Sequence, residues 1–431
     1  MRSYPEYKES GVEWLGQVPA GWEVRRLGIC FQERRETASD KDFPPLSVTM
    51  GGVVPQLETA AKTDDGDNRR LVRAGDFVIN SRSDRKGSSG LADRDGSVSL
   101  INLVLQPREV IASRYGHWLL RSIGFQEEFY RWGRGIVADL WSTRFGEMKR
   151  IMIVLPPLAE QRAIAGFLDR EVAKIDALIE ESRALIAALA EKRQATISHA
   201  VTRGLNPSAR LKPSGVDWLG DIPEGWEVVP LKYLATFHSG STPSKEQLEF
   251  WDGDIPWISA KDLKTERLED SQLHISEAAI LNGGVALQPA GSVVVLVRGM
   301  TLAKAFPVCL LTEAMAINQD LKALRCEPRM SSEFLAHALR GLAAESLSRI
   351  DEAGHGTKAL RMDAWISMEM PVPPLSEQCE ISGWIDAETA RLDALTEEAS
   401  AAIALLQERR AALISAAVTG KIDTRDTVAA A

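Results

Sequence analysis

No apolar stretch in these 431 residues reaches the length needed to cross a bilayer, although 45% of them are hydrophobic. Membrane insertion is therefore not expected. The opening Met1-Arg2-Ser3-Tyr4-Pro5-Glu6-Tyr7-Lys8-Glu9 lacks the apolar core of a secretory leader, so a cytoplasmic location is expected. Cysteine is scarce. Cys30, Cys309, Cys326 and Cys379 lie far apart with no CxxC or Cys/His spacing, which argues against a disulfide framework and a zinc centre and points to reduced, packed thiols. Catalytic signatures are missing too: there is no GxxxxGK[ST] phosphate loop and no HExxH metal helix. The Pro-Pro pairs at 44–45, 156–157 and 373–374 are each followed by leucine, not by the aromatic residue with which amino-methyltransferases hold a flipped adenine.

The net charge of −9 speaks against indiscriminate binding of polyanions, but local balances differ. Residues 22–155 hold 21 Lys/Arg against 18 Asp/Glu, whereas 227–372 hold 14 against 19. Binding of nucleic acid by the second stretch requires a localised basic patch on an acidic body.

What the sequence does have is a frame written twice. Ser10-Gly11-Val12-Glu13-Trp14-Leu15-Gly16-Gln17-Val18-Pro19-Ala20-Gly21-Trp22 returns as Ser214-Gly215-Val216-Asp217-Trp218-Leu219-Gly220-Asp221-Ile222-Pro223-Glu224-Gly225-Trp226. Pro156-Pro157-Leu158-Ala159-Glu160-Gln161 returns as Pro373-Pro374-Leu375-Ser376-Glu377-Gln378. The interiors, roughly 25–155 and 229–372, show no comparable likeness. A chain that keeps its frame and varies its contents presents two different surfaces in two equivalent positions.

Each exit motif opens a long proline-free stretch. Leu168, Val172, Ile175, Ile179, Ser182, Ile186 and Leu189 follow heptad steps, and the same register counted from the second exit motif gives Ile385, Thr389, Leu392, Thr396, Ala399, Ile403 and Leu406. Each helix extends on the order of 60 Å at about 1.5 Å per residue, long enough to hold two domains apart. The small seam residues suit close packing of one helix on the other, in opposing directions if each leaves its domain in the same way. Charged residues, among them Glu180, Glu181, Arg183, Arg193, Glu397, Glu398 and Arg410, are assigned to the outer faces, where they meet solvent or a partner.

The interiors read as mixed α/β (α+β). Strands are expected at 46–50, 77–80, 98–101 and 103–105, and at 255–258, 292–297 and 321–324, with helices at 114–131 and 331–349. Ala74-Gly75 and Ala290-Gly291, each before a strand, hint at a shared distant fold. The domains expected are residues 1–157 and 206–374, each with its entry segment, a central helix at 158–205, a C-terminal helix at 375–425 and a disordered tail at 426–431.

Binding residues are proposed from donor-rich loops. Arg69, Arg70, Ser81, Arg82, Arg85, Lys86 and Ser88 put guanidinium, ammonium and hydroxyl groups on and near a Gly/Ser loop, suited to phosphates and guanine edges, though a solvated loop reads the same way. In the second half Lys245, Lys261, Lys264, Arg298 and Lys304 form the corresponding set, with Trp251 and Trp257 as weaker members because core aromatics are commoner than base-stacking ones. Asp262-Leu263-Lys264 with Asp254 has the spacing of metal-dependent nucleases, a pattern that arises often by chance; His355 reads as a loop residue.

In this order, twice, the motifs resemble the specificity subunit of type I DNA restriction-modification enzymes over nearly the whole chain. The likeness rests on the paired Trp-Leu-Gly…Pro-x-Gly-Trp entries, the paired Pro-Pro-Leu-x-Glu-Gln exits and the two long helices. Gly240-Ser-Thr-Pro-Ser, Trp251-Asp-Gly-Asp-Ile-Pro-Trp-Ile and Gly356-Thr357…Leu360 add to it. The resemblance implies two target-recognition domains joined by two long antiparallel coiled-coil helices in an internal pseudo-two-fold repeat, each domain reading half of a bipartite, asymmetric DNA target. It further implies no catalysis and no cofactor on this chain. Two methyltransferase (modification) subunits would carry S-adenosylmethionine chemistry, and ATP- and Mg²⁺-dependent restriction subunits would join them, with the helices serving as ruler and dock. A stand-alone nuclease built on Asp254, Asp262 and Lys264, and a protein-binding scaffold, are the alternatives.

Overall fold

The computed structural model describes residues 2–59, 66–135, 141–353 and 357–425. The chain forms two compact units: Met1–Arg183 with Ser400–Ala431, hereafter unit 1, and Ala184–Ala399, unit 2. The two long helices, Leu158–Arg203 and Leu375–Val418, each give one part to either unit, so the expected boundaries at 157, 205 and 374 do not mark the compact units. The second helix also stops short of 425. Gly204 and Gly420 take φ of 72° and 75°, the left-handed closure that ends a helix and that glycine adopts without a Cβ penalty. The expected tail at 426–431 and His355 lie outside the described residues.

The repeated entries build the same object in both units. Tyr7–Glu9 pairs antiparallel with Gln17–Pro19, and Leu211–Pro213 with Asp221–Pro223. The connecting turns close through Ser10 N to Gly16 O at 3.1 Å and Ser214 N to Gly220 O at 3.0 Å. Gly16 and Gly220 sit at φ of 60° and 65°, which explains the glycine of each Trp-Leu-Gly. Trp22 and Trp226 end the motif buried, each against a helix terminus: a Cβ on Gly420 would strike Pro19 at 2.4 Å, and one on Gly204 would meet Trp226 at 3.2 Å.

The unlike interiors share a topology. In unit 1, β1 (Phe31–Glu33), β2 (Phe77–Asn80), β3 (Ser89–Leu91) and β4 (Asn102–Pro107) form an antiparallel sheet of order β1-β4-β2-β3. In unit 2, β5 (Ala235–Ser239), β6 (Val293–Leu296), β7 (Val308–Leu311) and β8 (Leu321–Cys326) repeat that order as β5-β8-β6-β7, and Arg267–Leu268 adds a parallel strand at the β7 edge. The Ala-Gly hint has its basis here. Gly75 N bonds to Ala92 O and Gly291 N to Leu311 O, both at 2.8 Å, with φ of 92° and 82°. The expected strand at 98–101 is Gly96–Val98, and each expected helix is two: Ser113–Arg121 with Ile123–Arg131, and Ser332–Gly341 with Ala343–Leu347. In unit 1 the break falls at Ser122, whose side chain caps Phe125 N.

The exit motifs tie domain to helix. Gln161 and Gln378 are fully buried. Gln161 Oε1 accepts from Ala112 N at 2.8 Å while its Nε2 donates to Val110 O and Pro156 O; Gln378 Oε1 accepts from Ser331 N at 2.8 Å while its Nε2 donates to Arg329 O and Pro373 O. One amide thus satisfies two backbone groups at the start of the domain's own helix and one just before the long helix.

Within each unit the parts of the two helices run antiparallel. In unit 1 Tyr115 Oη bonds both Val154 O, just before the first helix, and Val418 O, at the end of the second, while Arg410 meets Asp176 at 2.9 Å. In unit 2 Gly204 lies beside Glu377, while Arg193 meets Asp393 at 3.0 Å. Of the seam residues, Leu168, Val172, Ile175, Ile179, Leu189, Ile385, Thr389, Leu392 and Ala399 are buried; Ser182, Ile186, Thr396, Ile403 and Leu406 are half-buried. The seam hydroxyls of Ser182, Thr389 and Thr396 bond to carbonyls one turn back, so they stay satisfied where an apolar side chain would hold the helices further apart. Arg193 and Arg410, assigned to the outer faces, are half-buried against acids instead. Among the described residues no helix is long and apolar enough to cross a membrane.

Cys30 and Cys309 are buried thiols whose pKa values burial pushes up to about 11 and about 12. Cys326 is half-buried, and Cys379 departs from the expectation of packing by lying exposed.

Candidate nucleic-acid interface

In unit 1 the chain leaves β2 into Ser81-Arg82-Ser83-Asp84-Arg85-Lys86. Thr143 N bonds to Ser81 O at 2.9 Å, Ser81 Oγ to Ile101 O at 2.7 Å, and Arg82 N to Asn80 Oδ1 at 3.1 Å, before a single 3-10 turn at Ser83–Arg85. The loop is anchored at its root rather than free. Arg82 Nε holds Asp84 at 2.9 Å, Lys86 pairs with Glu127, and Arg85 is the most exposed of the three cations, its side chain 69% accessible. Beside the loop opens a cleft of about 790 Å³ whose walls include Arg35, Arg70, Arg82 and Arg144 with Glu33 and Glu147. Arg35 pairs with Glu33 at 2.7 Å and Arg70 lies 3.6 Å from the same carboxylate. Four guanidiniums against two carboxylates leave a positive surface suited to phosphate oxygens, and the planar guanidiniums can donate in pairs to a guanine edge.

Three expected contacts move inward. Arg69 is buried, with Nε on Ser97 Oγ at 2.9 Å and Nη2 on Ser97 O at 3.2 Å. It braces the ladder pairing Arg69–Val72 with Gly96–Val98 and offers nothing to a groove. Ser81 and Ser88 are buried as well. His117, behind the sheet, accepts Leu91 N at Nδ1 at 3.2 Å, and burial pulls its pKa down to about 3; it is a neutral structural acceptor.

Unit 2 repeats the root of this surface with other side chains. Leu360 N bonds to Val297 O at 2.9 Å, as Thr143 N bonds to Ser81 O, so Arg298 occupies the position of Arg82. Arg298 is exposed, as are Lys245, Lys261, Lys264 and Lys304. Lys261 and Lys264 share a shallow depression of about 460 Å³, whereas Lys245, Arg298 and Lys304 are not among its walls. Asp262 is occupied: Oδ2 accepts Ser259 N and Oγ at 2.8 and 2.9 Å, and Oδ1 accepts Gln272 N at 3.1 Å. Its role is to hold a turn, which accounts for the Asp-x-Lys spacing without a metal. Among the described residues no three His, Cys, Asp or Glu gather as metal ligands. Trp251 and Trp257 pack edge-to-face at 5.1 Å in a small apolar cluster, their indole N–H groups on Ser244 O and Ser241 O. They belong to the core, and Gly240 is required because a Cβ there would lie 2.0 Å from Ile317 O.

Comparison with known proteins agrees with this construction. Residues 223–404 match the model of the type I restriction modification DNA specificity domain. The chain is 23% identical to the MjaX specificity subunit of Methanocaldococcus jannaschii across 96% of this chain and 97% of that one. The chain is thus similar to type I restriction-modification specificity subunits over nearly its whole length. It is also 29% identical to the EcoR124I/EcoR124II specificity subunit of Escherichia coli over 177 residues, spanning 41% of this chain and 44% of that relative. A chain from a solved type I R-M system shares the fold, with a TM-score of 0.65 at 19% identity over 94% of this chain and 99% of that one.

The repeated frame contains residues that sequence reasoning missed. Asp169 accepts Trp118 Nε1 and Arg114 Nε, both at 2.8 Å; Asp386, at the matching position of the second long helix, lies 3.0 Å from His337 Nε2 and 3.0 Å from Arg267 Nη2. Each locks a domain helix to a long helix. The spacing that carries Pro156 onto Pro373 also carries Asp169 onto Asp386, and it equally relates Arg144, on the cleft, to Arg361.

Proposed function

We propose that this chain binds double-stranded DNA as the specificity subunit of a type I restriction-modification complex, each unit reading one half of a bipartite, asymmetric target. The supporting observation is that both units share strand order, entry hairpin and Gln- and Asp-anchored frame, yet present different side chains at equivalent exits from the central strand: Ser81-Arg82 in one, Val297-Arg298 in the other. The chain contributes recognition and no catalytic group. Two modification subunits supply S-adenosylmethionine chemistry, and restriction subunits supply ATP- and Mg²⁺-dependent translocation and cleavage, all in the cytoplasm. Leu178 and Leu395, at equivalent positions of the two long helices, expose 48% and 38% of their surface and give each modification subunit a matching apolar contact. The anchoring role of Asp262 weighs against a nuclease, and the arginine-lined cleft against a scaffold that grips only polypeptide.

The test is an exchange of residues 25–155 for the interior of a related subunit, followed by mapping of methylated sites in the reconstituted complex. One half of the target should change while the other stays. A change in both halves, or in neither, refutes independent reading.

A further inference from the structure

Equivalent arginines in the two units have unequal company. In unit 2, Arg340, in the last turn of Ser332–Gly341, bonds to Glu266 O at 2.7 Å, and Arg193 pairs with Asp393. The Glu266 carboxylate lies between them, 2.5 Å from Arg193 Nη2 and 3.3 Å from Arg340 Nη1. In unit 1, Arg121, in the last turn of Ser113–Arg121, bonds to Met50 O, and Arg410 pairs with Asp176 at 2.9 Å. Met50 therefore stands where unit 2 has Glu266. Its side chain is 72% exposed and carries no charge, and among the described residues no carboxylate pairs with Arg121. Arg121 and Arg410 line a cavity of about 170 Å³ with Met50, Trp118, Gly87 and Gln126. Burial, and then the like charge of Arg410, push the pKa of Arg121 down against the opposing pull of Asp176, as expected where one carboxylate serves two guanidiniums.

We propose that this unit 1 cavity binds a phosphate-type oxyanion between Arg121 and Arg410, in the place that unit 2 fills with its own Glu266 carboxylate. Two guanidiniums in a half-enclosed site give charge-assisted bonds to several oxygens of one anion, and the cavity has room for it beneath the unbranched Met50 side chain.

The experiment measures Tm of the full chain against inorganic phosphate, with sodium chloride adjusted to constant ionic strength. At about ten times its dissociation constant phosphate should raise the unit 1 transition by about 3 °C. Met50→Glu should supply the carboxylate internally, raising the starting Tm and abolishing the response. Arg121→Gln should abolish it without that gain, which keeps the test decisive if Met50→Glu folds poorly. Glu266→Met should create a second response in unit 2. Absence of a phosphate-specific rise in the wild type, or a full response in Arg121→Gln, overturns the proposal. DNA affinity of Met50→Glu then identifies the source: unchanged affinity assigns the site to free phosphate, and a loss equal to that of Arg121→Gln assigns it to a backbone phosphate.

Discussion

Units 1 and 2 solve the same structural problem with the same hydrogen bonds and different charges. Gln161 and Gln378 make three equivalent bonds each, because a buried amide has few ways to satisfy two donors and an acceptor at once. The ion pairs beside them differ. Unit 2 gathers Arg193, Glu266, Arg340, Arg267, His337 and Asp386 into one network, whereas unit 1 has the separate pairs Arg114–Asp169 and Arg410–Asp176. Directional bonds to backbone fix where a domain sits on its helix; charges at the edge of that contact are free to vary with the surface above.

The comparison breaks most visibly if the glutamines are not equivalent. Gln161→Leu and Gln378→Leu should each destabilise their own unit by about 3 kcal/mol, since each leaves buried backbone groups unpaired. Urea unfolding of both variants checks this, and a cost confined to one of them would end the equivalence. The charges should behave oppositely. Glu266→Gln removes the carboxylate from two arginines, one of them with a side chain only 12% exposed, and should cost about 2 kcal/mol after allowance for the partial exposure of Glu266.

Recognition sharpens the contrast further. Replacing Arg82, Arg85 and Lys86 by alanine should weaken DNA binding about tenfold and lower the slope of log K against log salt by up to about three; Lys261→Ala with Lys264→Ala should lower it by up to about two. Binding titrations over a range of salt decide it, and an unchanged slope assigns either set to solvent. The smallest expected effect is that of Asp176→Asn, below about 1 kcal/mol because its carboxylate is half exposed. A cost above that of Glu266→Gln would show that unit 1, not unit 2, depends on its charges.

The long helices and the strands at 46–49, 77–80 and 293–296 were legible because each is announced locally, by heptad spacing or by runs of β-branched residues. The shared sheet order showed only as two Ala-Gly pairs, because strand order depends on partners far along the chain: β1 pairs with β4, with both other strands of the sheet lying between them in sequence. The placement of the candidate residues was legible in part. Arg82 and Arg298 were each singled out, and the structure places them at equivalent exits, but Arg69 could not be told from Arg70: adjacent strand residues face opposite sides, and only the ladder with Gly96–Val98 says which side is inside. Arg35 and Arg144 were missed because neither lies in a Gly/Ser loop; the cleft forms only when β1 and the segment after Ser142 meet.

Unit 2 is one unbroken stretch of chain, whereas the core of unit 1, with Tyr4, Trp22 and Leu168, is completed by Ile414, Ala417 and Val418. On a ribosome adding about 5–20 residues per second, the part translated first must wait on the order of ten to forty seconds, while residues 184–399 are made, for its closing segment. The half of the protein that starts first therefore finishes last, and its incomplete apolar face is the one a chaperone would meet during synthesis.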